Sequence, residues 1–371
     1  MTNDSPPKGA PRGAELLKLR ERIDALDDEI VGLLNRRAGI SLSVGRCKAG
    51  AAEPVFKPFR EKEVLARLVA ANPGPLPERH LIAIYREILS SSRTLQRPER
   101  VVYLGPEGTF TYFAAAEHLG HSAELSPKKT LEEVFRAVAE GEAELGVIPL
   151  ENSLQGTVGQ SVDLFMRHPV HIQAEIYMRI SHALLGRAAS LEAVREVRSH
   201  PKALDQCEEW LARNLPGRPL LPSDSTAAAA KVAADDPEVA AVGHSALATM
   251  FGLNILAERI EDLPDNWTRF LIIGPAPSKE GRRDKTSILF TTPDRPGALA
   301  TVLNTMARRG INLAKLESRP FRGEKWKYVF FADLECDLSH AEYESLLGHL
   351  KEQCHTLRIL GCYPAGTQGG R

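Results

Sequence analysis

The run Asp265-Asn266-Trp267-Thr268-Arg269-Phe270 sets a hydroxyl beside a guanidinium, with an aromatic ring on each side. That combination can hold a small anion and hand it a proton. The same residues also read as an ordinary strand entry, because Phe270 to Ile273 is a β-forming apolar run. Further polar side chains gather in loops upstream: Thr109, Glu151, Asn152, Ser199, Gln206, Ser225 and Thr226. Ser199 and Asp224 are equally good helix caps, and Asn152 is an equally good turn residue. Their joint appearance with Thr268 favours one binding site for a small anion.

A second set lies near the N-terminus. Arg37 and Lys48 are 11 residues apart, which on a helix puts them on one face about 16 Å apart. Ser92 and Gln96 share a face at i, i+4, and Lys57, Arg60 and Glu61 stand where another helix opens. Long cationic side chains can converge from such positions on one ligand, or remain solvated charges.

The elements that must carry these residues follow from periodicity and breaks. Leu16, Leu19, Ile23, Leu26, Ile30, Leu33 and Ala38 repeat at three and four, and no proline falls between Arg12 and Pro54. This predicts a helix to about Lys48, some 35 residues or ~50 Å, too long to bury its stripe within its own module and so calling for a partner chain. Helices at about Pro58–Ala71 and Pro77–Leu95 complete an all-α region over 14–97. After Arg97-Pro98-Glu99-Arg100, the strand Val101–Leu104 runs into Gly105-Pro106-Glu107-Gly108-Thr109-Phe110-Thr111 and a helix, a ready anion site. Alternating β and α segments over 100–277 predict an α/β region of parallel sheets in two lobes with a cleft between them. A helix is expected to carry Gln206 and Cys207, and Ala227–Ala234 another, capped by Asp224-Ser225-Thr226. Residues 285–363 read as βαββαβ, a ferredoxin-like α+β pattern with a turn around Gly323. Its polar features are Asp294-Arg295-Pro296-Gly297-Ala298-Leu299 and Glu317-Ser318-Arg319-Pro320, which suit a dimerisation domain better than catalysis.

The chain has 371 residues, a net charge of −1, 26% charged and 43% hydrophobic residues. No basic excess argues for a nucleic-acid partner. The five cysteines form no Cys-x-x-Cys and no zinc pattern, so neither metal nor cofactor is expected and a reducing cytoplasm is the simplest setting. No apolar run nears the roughly 20 residues of a membrane helix. Residues 1–13 and the tail beyond Pro364 are expected to be disordered.

Three stretches resemble known families. Residues 14–97 resemble the all-helical chorismate mutase domain through Leu19–Asp27, Arg36-Arg37, Val44–Lys48, Lys57-Pro58-Phe59-Arg60-Glu61 and Ser92…Gln96. The resemblance implies an intertwined helical dimer. It also implies that Arg20 reaches the partner's site, Arg37 binds a carboxylate, Lys48 and Gln96 meet the ether oxygen, and Arg60, Glu61 and Ser92 hold the ring side. Lys57 departs from members with Asp at that position, leaving it a backbone contact. Residues 100–277 resemble prephenate dehydratase through Gly105–Phe110, Pro149–Gly156, Ser199-His200-Pro201…Gln206-Cys207, Asp224-Ser225-Thr226 and Asn266…Thr268-Arg269-Phe270. That family has two lobes like those of periplasmic binding proteins and an essential Thr in Thr-Arg-Phe. This implies Thr268 as proton donor or relay, Asn152, Ser199, Gln206 and Thr109 as positioning groups, and Glu151 as an alternative acid if it stays protonated. Residues 285–363 resemble an ACT domain, implying that phenylalanine sits between two such domains on Gly297, Ala298, Leu299, Glu317, Ser318, Arg319 and Pro320.

The function expected is a bifunctional enzyme taking chorismate to prephenate and prephenate to phenylpyruvate, with phenylalanine as feedback effector. It would be a homodimer, with a tetramer left open. The alternatives are an arogenate-preferring dehydratase or an amino-acid-sensing binding protein carrying a structural mutase module; intact Arg37, Lys48 and Thr268 argue against the latter.

Overall fold

The computed structural model describes residues 10–48, 56–278, 283–320 and 328–366, with side chains from residue 13 onward. Residues 1–9, most of the C-terminal tail and the expected turn at Gly323 lie outside the described residues. Helix α1 begins at Ala10, inside the stretch expected to be disordered, and Pro11 falls in its first turn, where a missing N–H costs nothing.

Helix α1 (Ala10–Lys48) is the long helix that the apolar spacing requires, followed by α2 (Pro58–Ala70) and α3 (Glu78–Gln96). Pro58 opens α2, where a missing N–H costs nothing. Helices α1 and α3 approach closely at Gly45, where a Cβ would lie 2.9 Å from the Gln96 Cα. The stripe on α1 stays half-exposed, with Ile23 at 56% and Leu26 at 57%.

The first lobe of the next region holds β1 (Arg100–Leu104), α4 (Phe110–Leu119), β2 (Glu124–Lys128), α5 (Leu131–Ala139), β3 (Leu145–Asn152), β4 (Gly156–Thr157), α6 (Gly159–Arg167) and β5 (His171–Arg179). The chain then crosses to a second lobe of β6 (Ala183–Gly186), β7 (Glu196–Ser199), α7 (Pro201–Asp205), α8 (Glu208–Asn214), β8 (Leu220–Pro222), α9 (Thr226–Asp235), β9 (Val239–Gly243), α10 (Ala246–Phe251) and β10 (Asn254–Glu258). It returns along β11 (Trp267–Gly274) into the middle of the first sheet, ordered β2-β1-β3-β11-β5; the second sheet is ordered β10-β6-β9-β7-β8.

These sheets are mixed, not parallel as expected. Strand β11 runs antiparallel to both β3 and β5, and β6 antiparallel to β9 and β10. The reason is the double crossing. Strand β5 leaves for the second lobe and β11 comes back from it, so neighbours at the crossing must run in opposite directions. The two crossings are tied together: Ile180 N–H donates to the Asn266 carbonyl at 2.8 Å and Ile260 N–H to the His182 carbonyl at 3.0 Å. Gln206 is the C-cap of α7 and Cys207 the N-cap of α8, so the single helix expected there is broken at those two residues.

The last region comprises β12 (Lys285–Thr291), α11 (Ala298–Ala307), β13 (Leu313–Pro320), β14 (Tyr328–Leu334), α12 (Glu344–Gln353) and β15 (Thr356–Tyr363). Its sheet is antiparallel throughout, in the order β13-β14-β12-β15. One face buries Ile288, Phe290 and Ala332 under the two helices. The other buries Leu289, Phe331, Leu360 and Tyr363 in one core with Ile172, Leu271 and Ile273 of β5 and β11. The C-terminal sheet therefore packs directly behind the strand that carries Thr268. Among the described residues no helix is long and apolar enough to cross a membrane.

Candidate active site

Thr268 lies one residue into β11, opposite Asn152 at the end of β3. The Asn152 amide Nδ2 donates to Asn266 Oδ1 at 2.6 Å, to Thr268 Oγ1 at 3.0 Å and to the Trp267 carbonyl at 3.2 Å. Its Oδ1 accepts from the N–H groups of Leu154 and Gln155, at 3.0 and 3.1 Å, which fixes the amide's orientation. Since Asn152 fills an acceptor site on Thr268, the threonine keeps its own proton for another partner. Asn266 is buried, and its Nδ2 makes no hydrogen bond among the described residues.

Arg269 points away from this amide cluster into the core. Nη1 pairs with Asp333 Oδ2 at 2.5 Å and Glu151 Oε1 at 3.1 Å, Nη2 donates to the Tyr363 hydroxyl at 3.0 Å, and Nε lies 2.7 Å from Glu175 Oε2. Lys285 joins the same cluster through Glu175, at 2.8 Å. Arg269 thus serves as a scaffold between domains. Glu151 takes charge-assisted bonds from Lys315 and Arg269; burial pushes its carboxyl up, but these two cations outweigh that and hold it below the usual range. An ionised Glu151 cannot be the acid, which corrects the alternative role considered for it.

The remaining loop residues divide. Thr109 caps α4, accepting from Tyr112 N–H at 3.4 Å and donating to the Leu104 carbonyl at 3.2 Å. Ser225 caps α9 through Ala228 N–H at 3.0 Å, with Thr226 buried as its first residue. Ser199 is fully buried and gives its proton to the Val242 carbonyl at 2.6 Å, tying β7 to β9. Gln206 Oε1 lies 2.8 Å from His182 Nε2. His182 also meets the Phe110 ring edge-on, at 5.4 Å between centroids, and His244 meets the same ring at 5.6 Å. His182 and Asn266 were not among the residues assigned a role. Asn266 was visible as part of the Thr268 run; His182 had no sequence signal, being one histidine between two apolar stretches.

In the helical region, Arg37 Nη1 donates to Ser92 Oγ, which donates in turn to the Ile88 carbonyl at 2.7 Å. Gln96 Nε2 donates to the Ser92 carbonyl at 3.1 Å. Arg37, Ser92 and Gln96 therefore meet between α1 and α3, with Lys48 at the half-buried end of α1. Glu61 pairs with Arg93, which also holds Glu99 at 3.3 Å and the Leu119 carbonyl. Burial pushes Glu61 above its ordinary range against the pull of Arg93. Arg60 is exposed and pairs with Glu63 at 3.5 Å, Arg20 lies on the exposed half of α1, and the Lys57 carbonyl accepts from Glu61 N–H at 3.1 Å. Arg20 and Arg60 are not brought to the Arg37 cluster within one chain.

In the last region Gly297 caps α11 with φ +81°, and Ala298 and Leu299 open that helix. On β13, Ser318 and Pro320 are exposed, whereas Glu317 bonds to Thr157 Oγ1 and Arg319 Nε pairs with Asp163 at 3.3 Å. Glu317 and Arg319 are engaged by the neighbouring domain, a placement the resemblance did not anticipate.

Residues 19–97 match the family model for chorismate mutase type II, 101–278 that for prephenate dehydratase and 286–341 that for the ACT domain. A bifunctional chorismate mutase/prephenate dehydratase of Aquifex aeolicus is 42% identical over 354 residues, covering 94% of this chain and 98% of the relative. The chain belongs to the bifunctional chorismate mutase/prephenate dehydratase family. Among solved structures, prephenate dehydratase from Arthrobacter aurescens in complex with L-Phe is 31% identical, with a TM-score of 0.65 over 71% of this chain and 90% of that one. A protein described as a novel type of quorum quenching acylase has a TM-score of 0.66 and 28% identity, over 73% of this chain and all of its own. In family terms, the Asn152–Thr268 cluster lies within the prephenate dehydratase match and the Arg37–Ser92–Gln96 cluster within the mutase match.

Proposed function

We propose that the chain converts chorismate to prephenate in its helical region and prephenate to phenylpyruvate at the Thr268 cleft, with phenylalanine as effector of the C-terminal domain. The first reaction is an intramolecular rearrangement needing no nucleophile, so the protein supplies only position and charge. Arg37, braced by Ser92, holds a carboxylate; Lys48 and Gln96 meet the ether oxygen as charge builds on it. On the ring side the family resemblance assigns Glu61, Arg60 and the Lys57 backbone, although within one chain Glu61 turns to Arg93 and Arg60 to Glu63. Arg20 completes the site from a second copy in an intertwined homodimer, for which the exposed α1 stripe is the support.

In the second reaction the carboxylate carbon–ring bond breaks, its electron pair enters the ring, and the ring hydroxyl leaves with one added proton as water. Carbon dioxide is the other product, and aromatisation drives the step. The observation that carries this reading is the 3.0 Å bond from Asn152 Nδ2 to Thr268 Oγ1, which leaves the threonine proton free for the departing hydroxyl. An alkoxide is too basic to persist, so Thr268 donates or relays and is promptly reprotonated. Gln206 donates to the substrate from the opposite lobe, while Thr109, Ser225, Thr226 and Ser199 shape the loops around it. Phenylalanine binds near Gly297, Ala298, Leu299 and Ser318, with Glu317, Arg319 and Pro320 on the strand that links the site to the cleft. The setting is cytoplasmic. In the test, Thr268→Ala and the isosteric Thr268→Val abolish phenylpyruvate formation from prephenate and leave prephenate formation from chorismate intact. Equal loss of both activities sinks the assignment.

A further inference from the structure

His182 occupies the first crossing between the two lobes and touches the returning crossing, the first lobe and the second lobe. Its backbone N–H donates to Glu261 Oε2 at 2.8 Å on the returning crossing, and that carboxylate also accepts from Ser181 Oγ at 3.0 Å. Its ring packs edge-on against Phe110, the residue that opens α4 in the first lobe. Its Nε2 meets Gln206 Oε1 at 2.8 Å in the second lobe, at the break between α7 and α8. An amide oxygen only accepts, so the imidazole proton must sit on Nε2. Nδ1 is then a bare lone pair, buried and without a hydrogen bond among the described residues. Burial pushes the imidazole below its ordinary range, in keeping with this neutral tautomer.

We infer that His182 is a positioning residue of the dehydratase centre: by holding the Gln206 amide oxygen it turns the Gln206 N–H2 toward the anionic substrate. Without the imidazole donor the amide can rotate and present its oxygen, which repels a carboxylate where the nitrogen attracts it. This rests on the reading that Gln206 binds substrate. Because His182 touches the substrate only through Gln206, its loss acts on binding and leaves the proton delivered by Thr268 untouched.

The test compares four full-length variants with prephenate as substrate: His182→Phe, His182→Gln, Gln206→Leu and the pair His182→Phe/Gln206→Leu. His182→Phe keeps a ring against Phe110 and deletes the donor; its KM rises roughly five- to tenfold, about the worth of one neutral hydrogen bond, with kcat little changed. His182→Gln returns a donor at the Nε2 position and recovers most of that loss. The pair is no worse than Gln206→Leu alone, as expected when one residue acts through the other. A KM for Gln206→Leu equal to that of the parent overturns both the Gln206 reading and this inference. A raised KM for Gln206→Leu with no change for His182→Phe, or additive losses in the pair, overturns the inference alone. A fall in melting temperature without a KM change in His182→Phe does the same, since it marks a packing role.

Discussion

Arg269 and Asp333 form an ion pair of 2.5 Å with side chains 2% and 1% exposed, and they come from different domains. Arg269 follows Thr268 on β11, between β3 and β5 of the dehydratase sheet; Asp333 lies on β14 of the C-terminal sheet, where Ser287 Oγ also donates to it at 2.5 Å. The inner cluster holds two cations, Arg269 and Lys285, against two carboxylates, Glu175 and Asp333. The C-terminal domain is thereby part of the scaffold of the dehydratase strand.

Removing Asp333 leaves Arg269 and Lys285 with Glu175 as the one fully buried carboxylate between them, since the part-exposed Glu151 is shared with Lys315. Breaking such a pair costs about 3–5 kcal/mol. Asp333→Ala is therefore expected to lower the melting temperature of the dehydratase and C-terminal regions together and to cut phenylpyruvate formation, with mutase turnover retained. Differential scanning calorimetry with both activity assays checks this; wild-type dehydratase turnover in a folded Asp333→Ala protein rules out the scaffold role.

Strand β13 meets the cleft loop through Lys315, which bonds to Glu151 and, at 2.8 Å, to Thr157 Oγ1. A ligand beside Ser318 can thus act on the segment leading from Asn152. Lys315→Met is expected to weaken phenylalanine inhibition by roughly five- to fiftyfold, within the ~1–3 kcal/mol usual for coupled sites. It also frees Glu151 from its main cation. The lowered carboxyl of Glu151 contributes stability present above its unfolded pKa of about 4.5 and lost as pH falls through the lower folded value. Acid unfolding of Lys315→Met should therefore begin at higher pH than in the parent. Phenylalanine titrations and pH melts read the two effects separately.

Much of this was legible from residue type and spacing. The long α1 follows from its apolar repeat and the absence of proline, and the βαββαβ order of the last region from its breaks. Strands β5 and β6 are not legible in the sequence because the crossing Ile180-Ser181-His182 separates them without glycine or proline, so no turn signal marks the change of lobe. The antiparallel placement of β11 follows from that crossing and was lost with it. In the site, Thr268 and Asn152 stood out because amide and hydroxyl residues sit beside strand ends. Their relation to Asp333, Glu175 and Lys315 depends on how two sheets stack, which no local pattern encodes. Ser199 and Ser225 show the opposite case, since capping and sheet-tying serines look the same in sequence as binding ones.

Arg93 joins the helical region to the dehydratase region by holding two carboxylates, Glu61 and Glu99. Burial pushes Glu99 up to about 7, with Arg93 pulling down and Glu61 adding repulsion. A carboxyl raised on folding binds more protons folded than unfolded between the two pKa values, so stability falls as pH rises through that window. The junction should be more stable at pH 5 than at pH 7.5, losing stability from about 4.5 up to the folded value of about 7. Glu99→Gln removes a large part of this slope and raises the melting temperature at pH 7.5 by several degrees. A slope unchanged in the variant shows that Glu99 is not its source.

Leu19, Ile23, Leu26 and Ile30 remain 48–57% exposed along one side of α1. Apolar residues repeating at three and four along a helix this long are the pattern of a helix seated on another helix, and a second copy supplies one of matching length. Arg20 lies on this same exposed half, too far along α1 to join Arg37 in its own chain, which fits a site completed by the partner. Ile23→Glu/Leu26→Glu places two like charges on each side of that contact. The pair is expected to give a monomer by light scattering, to cut mutase turnover by at least about a hundredfold, since two lost charge-assisted bonds of ~1.5 kcal/mol or more already exceed that, and to leave the dehydratase fold intact by circular dichroism. A monomer with full mutase activity would show that Arg20 acts within its own chain or not at all; a dimer that persists would move the association to the C-terminal sheet.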